Sequence, residues 1–355
     1  MDARQPLHAL TWLVWALAAA ASVQLAPNPL YVALVLAISA AVVATNALDS
    51  PLAKGFPLLV GLGLTFALVR VVLTVATTHG VGDVLFSLPS ARLPQILGGF
   101  TVGGTVEVPV LLQSASEGLV IVGVLAAFAA FNAVVSHHEL VRSAPAAFFE
   151  LGLVLTVSLA FVPVTLQAIG AVREADKART GGRIVRRGRL VRQAVPLLET
   201  GMERAVSLAE SMDSRGFGHQ APTRHEAVGG WLGVGALLSL AGTFLALVGG
   251  APPVSAALLV ALGAGLFAAA VALTSAGRRR VRYRPRHLVL TDWLVLSAAI
   301  AAPATLAMLS VLHDDTLRWS VSPLALPSVS APAVVALLAL ALPAFLRPPN
   351  GVAPR

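Results

Sequence analysis

Nine mostly apolar runs divide this sequence, at about 8–26, 30–46, 56–78, 114–136, 147–172, 231–249, 253–276, 288–312 and 331–347. A helix crosses the hydrocarbon of a bilayer with roughly 20 apolar residues at 1.5 Å each. Each run is therefore a candidate membrane helix. Turn chemistry separates them: Pro27-Asn28-Pro29, Asp49-Ser50-Pro51 with Lys54, and Gly249-Gly250 followed by Pro252-Pro253. Proline removes a backbone donor and glycine admits left-handed dihedrals, so helices stop at such places. Residues 80–113 instead alternate apolar and polar positions, which predicts a β-hairpin or an irregular extracellular loop.

One polar island, residues 173–230, interrupts this pattern. It holds eleven basic residues between Arg173 and Arg224, and so long a charged block cannot sit in hydrocarbon. Within it, Leu190, Val191, Ala194, Val195, Leu198, Met202 and Val206 recur at spacings of three and four, while Arg192, Glu199, Glu203 and Glu210 mostly take other faces. This predicts an amphipathic helix from about 190 to 215. Gly216 and Gly218 suit its C-terminal cap. An upstream helix from roughly 147 to 179 stops at Thr180-Gly181-Gly182. Both helices thus end on an arginine followed closely by glycine.

Composition sharpens the class. Hydrophobic residues make up 57% of the chain and charged residues 12%, against roughly 25% charged in soluble domains. The expected fold is an all-α integral membrane protein with about eight transmembrane helices plus long cytoplasmic or interfacial coupling helices. The formal charge of +8 fits basic inner loops rather than nucleic acid. Cysteine is absent, which excludes disulfides and thiolate chemistry. The first run has membrane-spanning length and no convincing cleavage site, so it reads as a helix rather than a cleaved signal.

Charge also sets orientation. The Arg-rich island belongs on the cytoplasmic face. If all nine runs cross, Arg4, Lys54 and Arg142 face outward. If 147–172 lies in the interface instead, those three become cytoplasmic and only Arg92 moves out. The second arrangement satisfies the charge rule better, giving eight spans with both termini cytoplasmic. The basic stretch from Arg278 to Arg286 then falls inside, and His313, Asp314 and Asp315 fall outside.

Most other candidate chemistry has no foothold. His137, His138 and Glu139 are adjacent, so their side chains diverge by about 100° on a helix and do not converge on a metal. Gly98-Gly99 and Gly103-Gly104 lack the Lys-Ser/Thr of a phosphate-binding loop. Asp176, Glu199, Glu203, Asp213, His219 and His225 lie in the island without a cofactor or nucleophile motif. No enzyme activity, metal or cofactor is expected. Arg70 lies inside an apolar run, where it snorkels or pairs with Asp83, Glu107 or Glu117.

The two helix-terminal arginines admit two readings. Arg near a helix C-terminus offsets the helix dipole, worth under about 1 kcal/mol. It also presents a rigid fork of donors beyond the last turn, able to enter a groove on a partner and bond carboxylates or carbonyls there. Two such ends suit a dimeric partner with two similar grooves.

At these residues the chain resembles the transmembrane (T) component of energy-coupling factor transporters, an ATP-driven (ABC) importer family that includes cobalt-permease-like subunits. That family carries two Ala-Arg-Gly-like motifs at the ends of its coupling helices. The matching positions are Ala178, Arg179 and Thr180, and Ser214, Arg215 and Gly216. The second lies in a Met212-x-x-Arg215-Gly216-Phe217 context, which is the more specific of the two. Ser136-His137-His138-Glu139-Leu140, Phe149-Glu150-Leu151-Gly152 and Ala160-Phe161-Val162-Pro163 resemble the segment leading into the coupling helices, and the Asn28-Pro29-Leu30 turn and Val84-Leu85-Phe86 also resemble the family. Thr180 and Ser214 depart from glycine and alanine, and Ala160 stands where the family often has arginine.

The resemblance covers residues 8–250. It implies a non-catalytic coupling subunit that passes the motion of two ATPase subunits to a substrate-binding membrane S component, for uptake of a vitamin or a transition-metal ion such as cobalt or nickel. Phe149, Leu153, Phe161, Pro163, Leu198 and Met202 are the implied S-component contacts. The expected organisation is an N-terminal four-helix membrane region (1–136), a coupling-helix region (137–230), a helix closing the T-component core (231–250) and a C-terminal three-helix extension (251–355). The chain is expected in the cell membrane, with residues 173–230 cytoplasmic. Rival expectations are a secondary transporter working without an ATPase, a membrane enzyme, and a membrane scaffold. Against the first, the sequence has no repeat suggesting inverted halves and little intramembrane charge.

Overall fold

A computed structural model describes residues 7–48, 55–78, 83–87, 89–92, 101–136, 139–140, 148–179, 181, 189–216, 224–277, 288–321 and 324–346. The chain is an all-α membrane protein. Among the described residues, seven helices are long and apolar enough to cross a bilayer, and Ala9–Leu25 is a shorter apolar helix. Two compact units are present: Met1–Leu140 with Pro285–Arg355, and Val141–Arg284.

The first unit contains α1 (Ala9–Leu25), α2 (Pro29–Asn46), α3 (Phe56–Thr77), α4 (Val108–Val134), α9 (Leu290–Val311), α10 (Ala331–Ala339) and α11 (Leu342–Phe345). Its core is centred on α1, whose buried face carries Trp15, Ala16, Ala19 and Val23. Small residues let membrane helices approach closely. Gly123 of α4 shows the need: a Cβ there would lie 2.8 Å from Val32 Cγ1 and 3.1 Å from Val23 Cγ1.

Between α3 and α4, the alternation in 80–113 gives two small antiparallel ladders. β1 (Val84–Ser87) pairs with β4 (Thr105–Glu107), and β2 (Ala91–Arg92) with β3 (Thr101–Val102). α4 then begins at Val108, earlier than its apolar run suggests, because Pro109 suits a first helical turn.

Polar clamps fix the relative directions of α1, α2, α4 and α9 in this unit. At one end, His8 N and Thr11 Oγ1 donate to Asp292 Oδ1 at 2.8 and 3.0 Å, joining the starts of α1 and α9. Leu48 N donates to Ala133 O, joining the exits of α2 and α4 at 3.1 Å. At the other end, Asn28 Nδ2 donates to Thr316 O and Ser328 O, and Ser330 N donates to the Tyr31 hydroxyl. α1 and α9 therefore run parallel, and the chain leaves this unit after α4 and re-enters it at α9 on the same end.

The apolar run expected as one helix over 331–347 is broken into α10 and α11. Pro343 lacks the amide hydrogen that would continue the ladder. Ala344 N bonds to Ala341 O instead of Leu340 O, which frees the Leu340 carbonyl. That carbonyl accepts from Trp15 Nε1 at 2.8 Å. The broken helix still traverses the unit, from Ser330 beside Tyr31 to Pro343, whose carbonyl accepts from Asn46 Nδ2 at 3.3 Å.

The second unit contains α5 (Phe149–Arg179), α6 (Arg189–Asp213), α7 (Arg224–Val248) and α8 (Pro253–Gly277). α7 and α8 form a hairpin through the Gly249-Gly250 turn, as the turn residues predicted. Ser239 Oγ donates to Leu259 O at 2.6 Å across their seam. The amphipathic helix expected at 190–215 and the long upstream helix ending at Arg179 are both present as α6 and α5.

Candidate functional site

The two helix-terminal arginines sit in similar backbone settings. Arg179 is the last residue of α5; Gly181 N bonds to Ala178 O, and Gly181 has φ +56°. Arg215 follows the last turn of α6; Ser214 N bonds to Glu210 O, Arg215 N to Met212 O and Gly216 N to Asp213 O, and Gly216 has φ +78°. Neither glycine has anything within 4 Å of an added Cβ. Their requirement is the left-handed dihedral that closes a helix end, not space. Thr180 lies outside the described residues.

Both arginines are exposed, and among the described residues neither guanidinium makes an ion pair. Lys177 adds positive charge beside Arg179.

A carboxylate joins the two helices. Asp176, one turn before Arg179, accepts from Arg192 Nε through Oδ1 and from Gln193 Nε2 through Oδ2, each at 3.1 Å. The end of α5 is thereby held to the start of α6. From Arg192 to Arg215 the chain runs along α6, so the two arginine-bearing ends are separated by roughly 35 Å at 1.5 Å per residue.

α6 turns two faces in different directions. Gln193, Pro196, Leu197 and Thr200 are half-buried, on the side nearest α5. Val191, Val195, Leu198, Met202 and Val206 form an outward stripe, and Leu198 and Met202 are 65% and 68% exposed. α5 is likewise apolar and uncovered in its unit: Val154, Leu155, Val162 and Leu166 are exposed. Leu153 and Phe161 are half-buried, and Pro163 is exposed within α5. Phe149 opens α5, and its side chain lies outside the described residues.

Sequence reasoning missed the Asp176 clamp, whose only signal was a carboxylate one turn before Arg179. His137 and His138 lie outside the described residues. Among those described, no cluster of His, Asp or Glu could hold a metal ion. Arg70 pairs with Glu117, one of its three candidate partners.

Comparison with protein-family models finds no match. The chain is similar to the energy-coupling factor transporter transmembrane protein EcfT of Leuconostoc gelidum subsp. gasicomitatum, with 36% identity over 73 residues. The match takes in 19% of this chain and 27% of that protein, so the chain matches about a quarter of the relative's length.

Proposed function

We propose that this chain is the transmembrane coupling subunit of an ATP-driven importer of the energy-coupling factor type, resident in the plasma membrane and itself without catalytic activity. The observation that carries this reading is the pair of exposed arginines, without an ion pair among the described residues, at the ends of two helices clamped together through Asp176. The partial similarity to a transmembrane protein of such a transporter supports it.

In this reading, Arg179 with Ala178 and Thr180, and Arg215 with Ser214 and Gly216, enter grooves on two ATP-binding subunits. A guanidinium can satisfy carboxylates and carbonyls there with a fixed fork of donors. Closure of the ATPase pair on ATP moves the gripped ends. Because Asp176 ties the end of α5 to α6, the two helices move together as a lever. The apolar stripe on α6 and the apolar surface of α5 pass this motion to a substrate-binding membrane S component, with Phe149, Leu153, Phe161, Pro163, Leu198 and Met202 as contacts. The cargo is a vitamin or a transition-metal ion, chosen by that component.

The first unit supports a non-crossing role for α5. α4 ends and α9 begins on the same end of that unit, so an even number of crossings lies between them. The α7–α8 hairpin supplies two, and α6 is too charged to supply one. α5 then lies along the cytoplasmic side, and residues 173–230 and both termini are cytoplasmic. In this reading, 1–136 is the N-terminal membrane region, 137–230 the coupling region, 231–250 a further T-component helix and 251–355 the extension, of which α9–α11 pack on α1 and α2.

The absence of cysteine makes the test clean, since one introduced thiol is unique. Ser214→Cys in the full chain, co-expressed with its ATPase pair, should cross-link to an ATPase subunit under a short bifunctional thiol reagent. Labelling of that cysteine from the outside of intact cells by an impermeant reagent would overturn the reading.

A further inference from the structure

α6 carries two adjoining lines of exposed side chains. One is the apolar stripe of Val191, Val195, Leu198, Met202 and Val206. The other is acidic. Glu199, Glu203 and Glu210 are exposed, and at 3.6 residues per turn they fall within about 40° of one another, beside Val195 and Val206. From Glu199 to Glu210 this line runs roughly 16 Å along the helix. The opposite border of the stripe, at Ala194, Gly201 and Ala205, is uncharged.

These carboxylates find no compensating charge on their own helix. The residues three and four positions from Glu199, Glu203 and Glu210 include no Lys or Arg. None of the three makes an ion pair among the described residues. Glu199 and Glu203 are themselves four apart, a like-charge spacing that weakens an isolated helix. Arg192 lies on the same line, but Asp176 engages it.

Charge decides between a lipid and a protein occupant of the stripe. Helices that lie on a membrane surface border their apolar face with Lys and Arg, which the negative inner leaflet attracts. α6 borders its stripe with glutamate, which that leaflet repels. A protein surface carrying basic residues is matched instead. The cytoplasmic ends of membrane helices are such surfaces, because Lys and Arg concentrate on that side. Grooves that receive Arg179 and Arg215 need the opposite sign, so the ATPase pair does not suit the acidic line.

We propose that this face of α6 docks the basic cytoplasmic end of a membrane helix from a second protein. Apolar residues of that helix lie on Leu198 and Met202, and its Lys or Arg side chains meet Glu199, Glu203 and Glu210. Docking of this kind rests on the coupling-subunit reading, which places α6 in the cytoplasm, and it gives the substrate-binding component a stated chemistry at α6. Because only one border of the stripe is charged, the basic residues of the docked helix must take that side.

The test places the full chain in phosphatidylcholine liposomes with a dye-labelled synthetic helix of about twenty Leu and Ala residues, ending either in Lys-Lys-Lys or in Glu-Glu-Glu. Energy transfer from a dye on Ser211→Cys, exposed and unique in a chain without cysteine, reads binding. The Lys-ended helix should bind several-fold more tightly than the Glu-ended one. The triple variant E199Q/E203Q/E210Q should weaken the Lys-ended helix about tenfold, the scale of three exposed ion pairs, and the triple Lys variant should reverse the preference. In the chain alone, E203Q should leave the melting temperature unchanged or higher, since it removes the repulsion from Glu199. A lower melting temperature would mean that a basic residue of this chain already covers the line, and would overturn the proposal. So would equal binding of the two helices, or loss of the ATPase pair from the triple Gln variant. A wild-type chain that prefers the Lys-ended helix but binds no ATPase pair would instead strike the coupling reading alone.

Discussion

Asp176 accepts a hydrogen bond from Arg192 Nε at 3.1 Å, one helical turn before Arg179. A partly exposed ion pair of this kind contributes about 0–1 kcal/mol to stability, and in the proposed function its role is to hold α5 to α6. Asp176→Ala should leave the melting temperature within a few degrees of wild type, consistent with such a small term. ATP-driven uptake should fall several-fold while ATPase subunits remain bound. Transport by reconstituted complexes, set beside their subunit stoichiometry, checks this.

Gly216 closes the end of α6 beside Arg215 with φ +78°. A side chain in the left-handed region costs about 1–2 kcal/mol. Gly216→Val should therefore weaken binding of the ATPase pair without unfolding the membrane unit. Gly233→Ala, in open space on a right-handed helix, should change neither. Affinity of the detergent-solubilised chain for its ATPases separates the two.

The broken helix α10–α11 depends on Trp15. Trp15→Phe keeps the aromatic bulk but removes the donor to Leu340 O, leaving a buried carbonyl unpaired. The cost should be about 1–3 kcal/mol, read as a lower melting temperature. Trp319→Phe removes a donor at an exposed site and should cost little.

Asp314 makes one loop acid-sensitive. Its carboxyl is held below the usual value first by the Thr316 hydroxyl, then by the Thr316 amide. A depressed folded value means that its stabilising contribution is present above the unfolded value of 3.8 and is lost as pH falls through the lower folded value. Asp314→Asn should lower the melting temperature slightly at neutral pH, and the difference should vanish in strong acid.

The helices were legible because a bilayer demands long apolar runs, and turns such as Pro27-Asn28-Pro29 punctuate them unambiguously. The paired arginine ends were legible because glycine follows each, and Gly181 and Gly216 both take positive φ. The break after Ala339 was not legible, since Pro343 in an apolar run is compatible with a kink or a stop; the Trp15 indole, far away in sequence, rewards the stop. Nor could the sequence choose Glu117 over Asp83 and Glu107 for Arg70, because that choice depends on the register of α3 against α4, set by Ala67 against Gly118. The amphipathic pattern of α6 predicted an apolar face but not that Leu198 and Met202 would face outward while Pro196 and Leu197 turn toward α5.

The central claim is that Arg179 and Arg215 are the two points gripped by an ATPase pair. Quantitative co-purification of the tagged full chain with its ATPase subunits tests it most directly, for wild type, Arg179→Glu, Arg215→Glu and the double variant. Wild type should retain both subunits, each single variant should lose much of the complex, and the double variant should lose all of it while remaining folded in the membrane. A double variant that retains both subunits at wild-type stoichiometry would contradict the account.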